Sequence, residues 1–370
     1  MTVKPSLGTL CINAGSPPAQ QGKAFRNGPE FASTYHLSGE VDHNVHQYGR
    51  FSQPSWDALE QGFSELEGGD TVIFPSGMSA AAAVLTSLVE PGDTILLPSD
   101  GYAPVRYYVE KYLVKFGIQL KTIATKDLDD YDFKGVALAL LETPSNPMLD
   151  VFDIRLASEK IHHCDGLLAI DNTTLTLLGQ QPLALGADIS LSADTKAVNG
   201  HSDVLFGHVS SKDRQISDKI REWRKFSGNI PGPMETWLVH RSLATLDMRL
   251  ERMCKNAQQL ACVLQLHPKV LSIRYPGLET DLSHNMAKKQ QHLFGFIISF
   301  ELADKNTAYK FLDKCNLVYQ ATSFGGVHSM AERRARWGTD DIPEGVIRFS
   351  VGCERAQDIL ADVMAALDSI

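Results

Sequence analysis

A doubly wound α/β fold, followed by a smaller α+β portion, is the architecture this sequence predicts. Three observations point there. Between about residues 55 and 215, short apolar runs alternate with stretches of helical spacing, the pattern of a mostly parallel sheet covered by helices on both faces. The helical stretches are long enough for crossovers between parallel strands. Beyond about residue 236 the alternation stops, and a long helical stretch leads to two separated apolar runs and a closing helix.

In chain order, residues 1–50 are polar and rich in Gly, Pro, Asn and His with no sustained period, and read as an arm. Residues 51–235 hold the runs DTVIFPS, DTILLPS, LKTIAT, GVALALLET, GLLAIDNT and DISLSADT. Each is bounded by turn residues or a helix start, as strands buried on both faces are. Between them GMSAAAAVLTSLVE, VRYYVEKYLVKFG and DIRLASEKIHHC have the apolar spacing of crossover helices. Residues 236–370 form the second portion: METWLVHRSLATLDMRLERMCKNAQQLACVLQLHP reads as one long helical stretch, FGFIISFEL and VIRFSVGC as strands, and AQDILADVMAAL as the last helix. No internal repeat interrupts this order.

Composition narrows the function. The chain has 370 residues, 43% hydrophobic and 21% charged, enough for two cores. A formal net charge of -9 argues against nucleic acid or an anionic membrane as the main partner, and a small molecule becomes the expected ligand. The six cysteines form no CxxC pair, so neither a zinc site nor a disulfide scaffold is indicated. No export signal and no apolar run of roughly 20 residues is present, so the expected location is the cytoplasm.

Open parallel sheets bind ligands beyond the carboxyl ends of their strands, and four such ends carry chemistry. In IFPSGMSAAAAV a helix begins near Gly77, exposing the N-H groups of Gly77 and Met78 to an anion such as phosphate; alone, this is also an ordinary strand-helix junction. LLAIDNT sets Asp171 directly after a strand, where a carboxylate is either functional or a helix cap. LETPSNP holds Asn146 in a rigid turn between prolines. In SADTKAVNGHSD, Lys196 follows Asp171 by 25 residues, about one strand-helix-strand step. An amine at the end of a buried strand is costly unless paired or chemically used, and its common use is a Schiff base. Pyridoxal phosphate needs such an amine, a carboxylate at its ring nitrogen, an anion cradle and a flat face against its ring. Tyr102 in PSDGYAPVRYY, also just past a strand, supplies the face or else lies on the surface.

With these residues assembled, the chain resembles the Cys/Met metabolism family of pyridoxal-phosphate enzymes, which includes the cystathionine lyases, cystathionine gamma-synthase and methionine gamma-lyase. The resemblance runs from about Tyr48 to the C-terminus through YGRFSQPSWDALEQGFSELEGG, FPSGMSA, LETPSNP, AIDNT, QPLALGADI, TKAVNGHSD and VIRFSVGCE. It implies the type I fold of PLP-dependent transferases and a lyase that expels a sulfur or other heteroatom group from an amino-acid side chain. A γ-replacing transferase on an activated homoserine, or a γ-lyase on canavanine or methionine, is the alternative it leaves open.

Residue by residue, the resemblance implies that Lys196 carries the cofactor aldehyde and moves protons, assisted by Tyr102, which stacks on the ring. Asp171 would contact the ring nitrogen and Asn146 the 3'-oxygen; Gly77, Met78 and Thr195 would hold the phosphate. Tyr48 and Arg50 would reach the phosphate of a neighbouring subunit, implying a homo-oligomer, a tetramer of two catalytic dimers. Arg348 and Ser323 would bind the substrate α-carboxylate, with Thr322 beside them. Three departures stand out. Ala193 replaces a serine common three residues before the lysine, and Ala197 replaces the tyrosine usual after it. Thr322 stands where γ-lyases and γ-synthases tend to carry glutamate and β-lyases tyrosine. The acidic loop RWGTDDIPEG precedes the strand of Arg348; it is either solvated or brings Asp340 or Asp341 to a cationic group of the substrate.

Overall fold

A computed structural model describes residues 5–370. Seven strands build the first sheet: β1 (Asp70–Phe74), β2 (Thr94–Pro98), β3 (Gln119–Ile123), β4 (Leu138–Glu142), β5 (Leu167–Asp171), β6 (Ile189–Ser192) and β7 (Gly207–Ser211). Their order is β1-β7-β6-β5-β4-β2-β3. Neighbours from β3 to β6 pair in parallel, whereas β7 runs antiparallel to both β6 and β1. The carboxyl ends of β1, β2, β4, β5 and β6 therefore share one edge. β2, β4 and β6 are buried along their whole length, as expected of strands with helices on both faces.

Helix α1 (Leu7–Asn13) is a departure from the expected structureless arm; the Ser6 hydroxyl caps it by accepting from the Thr9 N-H. Its Cys11, together with Ala14 beyond its end, is sealed into the core that holds Trp56 and Phe63 of α2 (Pro54–Glu67). The other helices of the first sheet follow the sequence reading: α3 (Gly77–Ser87), α4 (Ala103–Tyr108) and α5 (Ile154–His162). The crossover begun by α4 widens into a π turn over Val109–Leu113 before a 3-10 turn ends it.

The stretch from Met234 onward is two helices, Pro233–Leu243 and Leu246–Leu264, and not one. The elbow has a physical reason. Arg249, at its far side, is buried and donates to the carbonyls of Ala197 and Val198 and back to that of Ser242. The guanidinium thus ties the first helix's Ser242 carbonyl to the backbone beside Lys196.

The second sheet contains β8 (Ser272–Arg274), β9 (Ile297–Glu301), β10 (Tyr319–Gln320), β11 (Met330–Arg333) and β12 (Val346–Ser350), in the order β10-β11-β12-β9-β8. Only β10 and β11 pair in parallel. The closing helix Ala356–Asp368 lies on this sheet's own core with Phe300, Phe311 and Phe349. No helix among the described residues is long and apolar enough to cross a membrane.

Candidate active site

The shared strand edge opens into a cavity of about 400 Å³, within the range of small-molecule sites. Ten of the twelve residues singled out from the sequence line it: Gly77, Met78 and Tyr102 on one side, Asn146, Asp171, Thr195 and Lys196 across the sheet edge, and Thr322, Ser323 and Arg348 from the second sheet. Tyr48 and Arg50 do not. Arg50 donates to the Lys225 carbonyl at 2.7 Å and sits 5.5 Å from the half-exposed Tyr48 ring.

Helix α3 begins at the cavity because Ser76 accepts from the Ser79 N-H at 3.1 Å. The N-H groups of Gly77 and Met78 have no carbonyl a turn earlier to reach. Gly77 is required by proximity: a Cβ there would lie 2.4 Å from the Cβ of Ala193, in the turn that leads to Lys196. Ala193 itself donates its N-H to the Thr173 hydroxyl at 2.8 Å. Thr195 is more committed than its expected phosphate role requires. Its hydroxyl accepts from the Phe206 N-H at 2.9 Å and donates to the Phe206 carbonyl at 3.2 Å.

Asp171 ends β5 and is partly buried; its carboxylate accepts from the N-H and the hydroxyl of Thr173. Burial pushes its pKa up, against the pull of those two hydrogen bonds and of the Lys196 charge. Glu142, paired with Asp171 in the β4-β5 register, also lines the cavity. It accepts the Tyr102 N-H at 2.9 Å and thereby fixes the start of α4. Burial first, and the Asp171 charge second, hold its carboxyl well above the usual range. Sequence reasoning stopped at Asn146 in the same LETPSNP segment and passed over Glu142, although a carboxylate closing an apolar strand was the signal used for Asp171.

Lys196 donates to the Ser323 hydroxyl at 2.7 Å, and its Nζ lies 4.9 Å from the Phe324 ring centroid. Burial, and then the Arg348 charge, lower its pKa to about 8, so near neutral pH the free amine is an appreciable fraction. Ala197 behind it is fully buried, and Gly325, at φ +82, packs its backbone against the Ala197 N-H. The absence of a tyrosine there fits its surroundings: Ala197 is packed into the core cluster that includes Val198, Phe206 and Phe324.

Arg348 is the second surprise. Its Nη2 donates to Glu332 at 2.6 Å and to the Ser323 carbonyl at 3.0 Å, while Nη1 donates to the Asn146 side-chain oxygen at 3.0 Å. The planar anion that an arginine in an apolar strand requires is therefore present in the fold. Glu332, on β11, was invisible in the sequence because its partner lies on another strand. Burial lowers the Arg348 pKa to about 10. The acidic loop does not present Asp340 to the cavity as a free carboxylate. Asp340 accepts from Arg334 at 2.7 Å, and it is Arg334 that lines the cavity; Asp341 is exposed.

These residues fit pyridoxal phosphate. Lys196 offers a partly neutral amine, Asp171 a partly buried carboxylate, the start of α3 two unspent N-H donors, and Tyr102 an aromatic face that is half exposed. No cluster of His, Cys, Asp or Glu suited to a metal ion occurs among the described residues.

Comparison with known proteins agrees. A family model described as Cys/Met metabolism PLP-dependent enzyme matches residues 8–368. A protein of Streptomyces coelicolor named a putative cystathionine gamma-lyase is 45% identical, over 98% of this chain and 94% of its own. The cystathionine beta-lyase of Lactococcus lactis subsp. cremoris is 38% identical over 91% of this chain and 92% of its own. The cystathionine gamma synthase of Xanthomonas oryzae pv. oryzae, solved in complex with cystathionine, superposes with a TM-score of 0.94 at 32% identity, covering 99% of this chain and 98% of that one.

Proposed function

The chain belongs to the Cys/Met metabolism family of PLP-dependent enzymes, and on that premise we propose a carbon-sulfur lyase that cleaves cystathionine-type amino acids to a 2-oxo acid, ammonia and a thiol. One observation carries the reading most directly: an amine drawn down to about pKa 8 and a buried guanidinium line one cavity. The 45% identical relative, named a putative cystathionine gamma-lyase, supports γ-elimination as the first reading. The γ-synthase likeness keeps γ-replacement as the second reading.

When bound, pyridoxal phosphate supplies an aldehyde for the substrate amine and an electron sink conjugated to Cα. Gly77 and Met78 would hold its phosphate, with the Thr195 backbone closing the seat. Asp171 would keep a proton on the ring nitrogen, Asn146 would meet the 3'-oxygen and Tyr102 would cover the ring. Arg348, still carrying unspent N-H groups, would seat the α-carboxylate with Ser323. Lys196 would take the proton from Cα and, for a γ leaving group, from Cβ as well. Its hydrogen bond to Ser323 keeps the amine on the substrate side of the cavity.

Residues 51–235 and 236–370 would act as cofactor-binding and C-terminal domains, with the arm of residues 1–50 reaching a neighbouring subunit. Tyr48 and Arg50 would complete that subunit's phosphate site, in a tetramer of two catalytic dimers. The free thiols of all six cysteines support a cytoplasmic location.

The test is the visible absorbance of protein reconstituted with pyridoxal phosphate, followed by L-cystathionine and identification of the keto acid. Formation of 2-oxobutyrate with cysteine means γ-elimination, and pyruvate with homocysteine means β-elimination. A product seen only with an activated homoserine and a thiol means γ-replacement. Lys196→Ala is expected to abolish the lysine-bound absorbance and lower turnover by roughly 10³-fold or more; a fully active variant would overturn the assignment.

A further inference from the structure

The wall of the cavity formed by β11 and the turn after it holds a guanidinium with no role in the chemistry above. Arg334 follows β11 and lines the cavity together with Thr322 and Arg348. Its side chain is 12% exposed. Nη1 donates to Glu332 Oε1 at 3.1 Å and Nη2 to Asp340 Oδ2 at 2.7 Å. Among the described residues, only two of its five N-H groups have an acceptor, and Nε is buried without any.

The carboxylates behind it are spent. Glu332 Oε1 also accepts from Arg348 at 2.6 Å and from the Thr322 hydroxyl at 3.4 Å. Its Oε2 accepts from Trp337 Nε1 at 2.8 Å and lies 3.4 Å from Arg336. Two carboxylates thus face three guanidiniums in this corner, and two of those guanidiniums, Arg334 and Arg348, meet at a single oxygen. Such an arrangement repels a cation and leaves donor capacity for an anion. It reverses the sign of the cation-facing alternative that the acidic loop offered: Asp340 orients Arg334 and does not line the cavity.

We propose that Arg334 is a specificity-determining residue, receiving a carboxylate carried at the far end of the substrate's side chain while Arg348 holds the α-carboxylate. The inference rests on the lyase reading above and names the class of substrate that the site selects. The guanidinium is preorganised for this task, because Asp340 and Glu332 hold both terminal nitrogens and little rotamer freedom remains to be lost on binding.

Matched thioethers isolate the far carboxylate: S-(2-carboxyethyl)-L-homocysteine against S-propyl-L-homocysteine, and the same pair built on L-cysteine should elimination prove to be β. In the wild-type holoenzyme the carboxylated member is expected to show a kcat/KM on the order of tenfold or more above its propyl partner. Arg334→Gln brings that ratio near one, mainly through KM, and Arg334→Lys retains part of it. Reading a ratio within each variant cancels any general loss of folded protein. A wild type without preference, or an Arg334→Gln variant that keeps the full ratio, overturns the proposal. Should the wild type turn over neither these compounds nor L-cystathionine, the lyase reading fails on its own. Calorimetric affinities of the same pair for wild type and Arg334→Gln then test Arg334, and equal affinities for the two compounds in the wild type refute it.

Discussion

Lys196 shows how burial and three neighbouring charges set one amine. Desolvation lowers its pKa first, the Arg348 charge lowers it further, and Asp171 and Glu332 raise it, leaving a value of about 8 against an ordinary 10.5. The sign of each contribution is testable in the cofactor-free protein. The rate at which Lys196 reacts with a small acylating reagent, followed by mass spectrometry, should rise with pH through a midpoint near 8. Arg348→Met removes a nearby cation and should move that midpoint up; Asp171→Asn removes a nearby anion and should move it down. A midpoint near that of a surface lysine in the wild type, or shifts of the opposite sign, would show that the pairing with Ser323 and the surrounding charges do not govern this amine.

At the scale of elements, the turn between β6 and β7 is held by an ionic group that contributes no atom to the cavity. His208 on β7 is fully buried, with Nδ1 2.9 Å from Asp194, two residues before Lys196, and Nε2 3.1 Å from Glu67 at the end of α2. The Phe63 ring stacks on it at 4.2 Å. Burial opposes its charge, but the two carboxylates overcome that and raise its pKa to about 10. Because the folded value lies above the ordinary 6.5, the stability it contributes is complete below pH 6.5 and is lost as pH rises through about 10. His208→Leu leaves two buried carboxylates without a cation and should cost about 3–5 kcal/mol. The urea midpoint of the wild type should fall between pH 7 and 10, and that of the variant should fall less; parallel curves would dismiss the role. None of this was legible in the sequence. The six strands β1 to β6 were, since each is an apolar run closed by turn residues, and so were the residues at their ends. β7 reads as GHVSS and β11 as MAER, and neither has an apolar period to detect. Their polar side chains are buried because partners arrive from elsewhere: Thr71 meets Ser210 at 2.6 Å, and Arg348 meets Glu332. Local spacing finds strands that bury hydrocarbon; it misses strands that bury paired polar groups, and with them Glu332 and Arg334. The elbow before Arg249 was hidden for the same reason.

Across the whole molecule, the cavity exists only where the two sheets meet, so its geometry depends on contacts remote from it. Arg274 on β8, at the edge of the second sheet, donates to Asp150 at 2.8 Å and to Asp281 at 3.2 Å. Asp150 in turn closes the loop after β4: its N-H donates to the Ser145 hydroxyl, and its carbonyl accepts the Ser145 N-H. Ser299 on β9 reinforces the same loop by donating to the Pro147 carbonyl at 2.5 Å. Between Ser145 and Pro147 lies Asn146, whose side-chain oxygen accepts from Arg348. Hydrogen bonds, linked through the Asp150 and Ser145–Asn146 backbone, thus join the outer edge of the second sheet to the guanidinium expected to seat the substrate carboxylate. Arg274→Met should lower stability by about 1–3 kcal/mol, since the pair is mostly but not fully buried. Its more telling effect is kinetic. With Asp150 released, the Asn146 turn loses its fixed position, so Arg348 loses a positioned acceptor and the cofactor's 3'-oxygen its expected partner: KM should rise several-fold and the visible band of the bound cofactor should shift, while its link to Lys196 persists. Calorimetry and steady-state kinetics on one preparation separate the two effects. A variant that melts earlier yet keeps the wild-type KM would mean that Arg274 serves the fold alone, and that the substrate seat is set within β12 and β11 by Glu332.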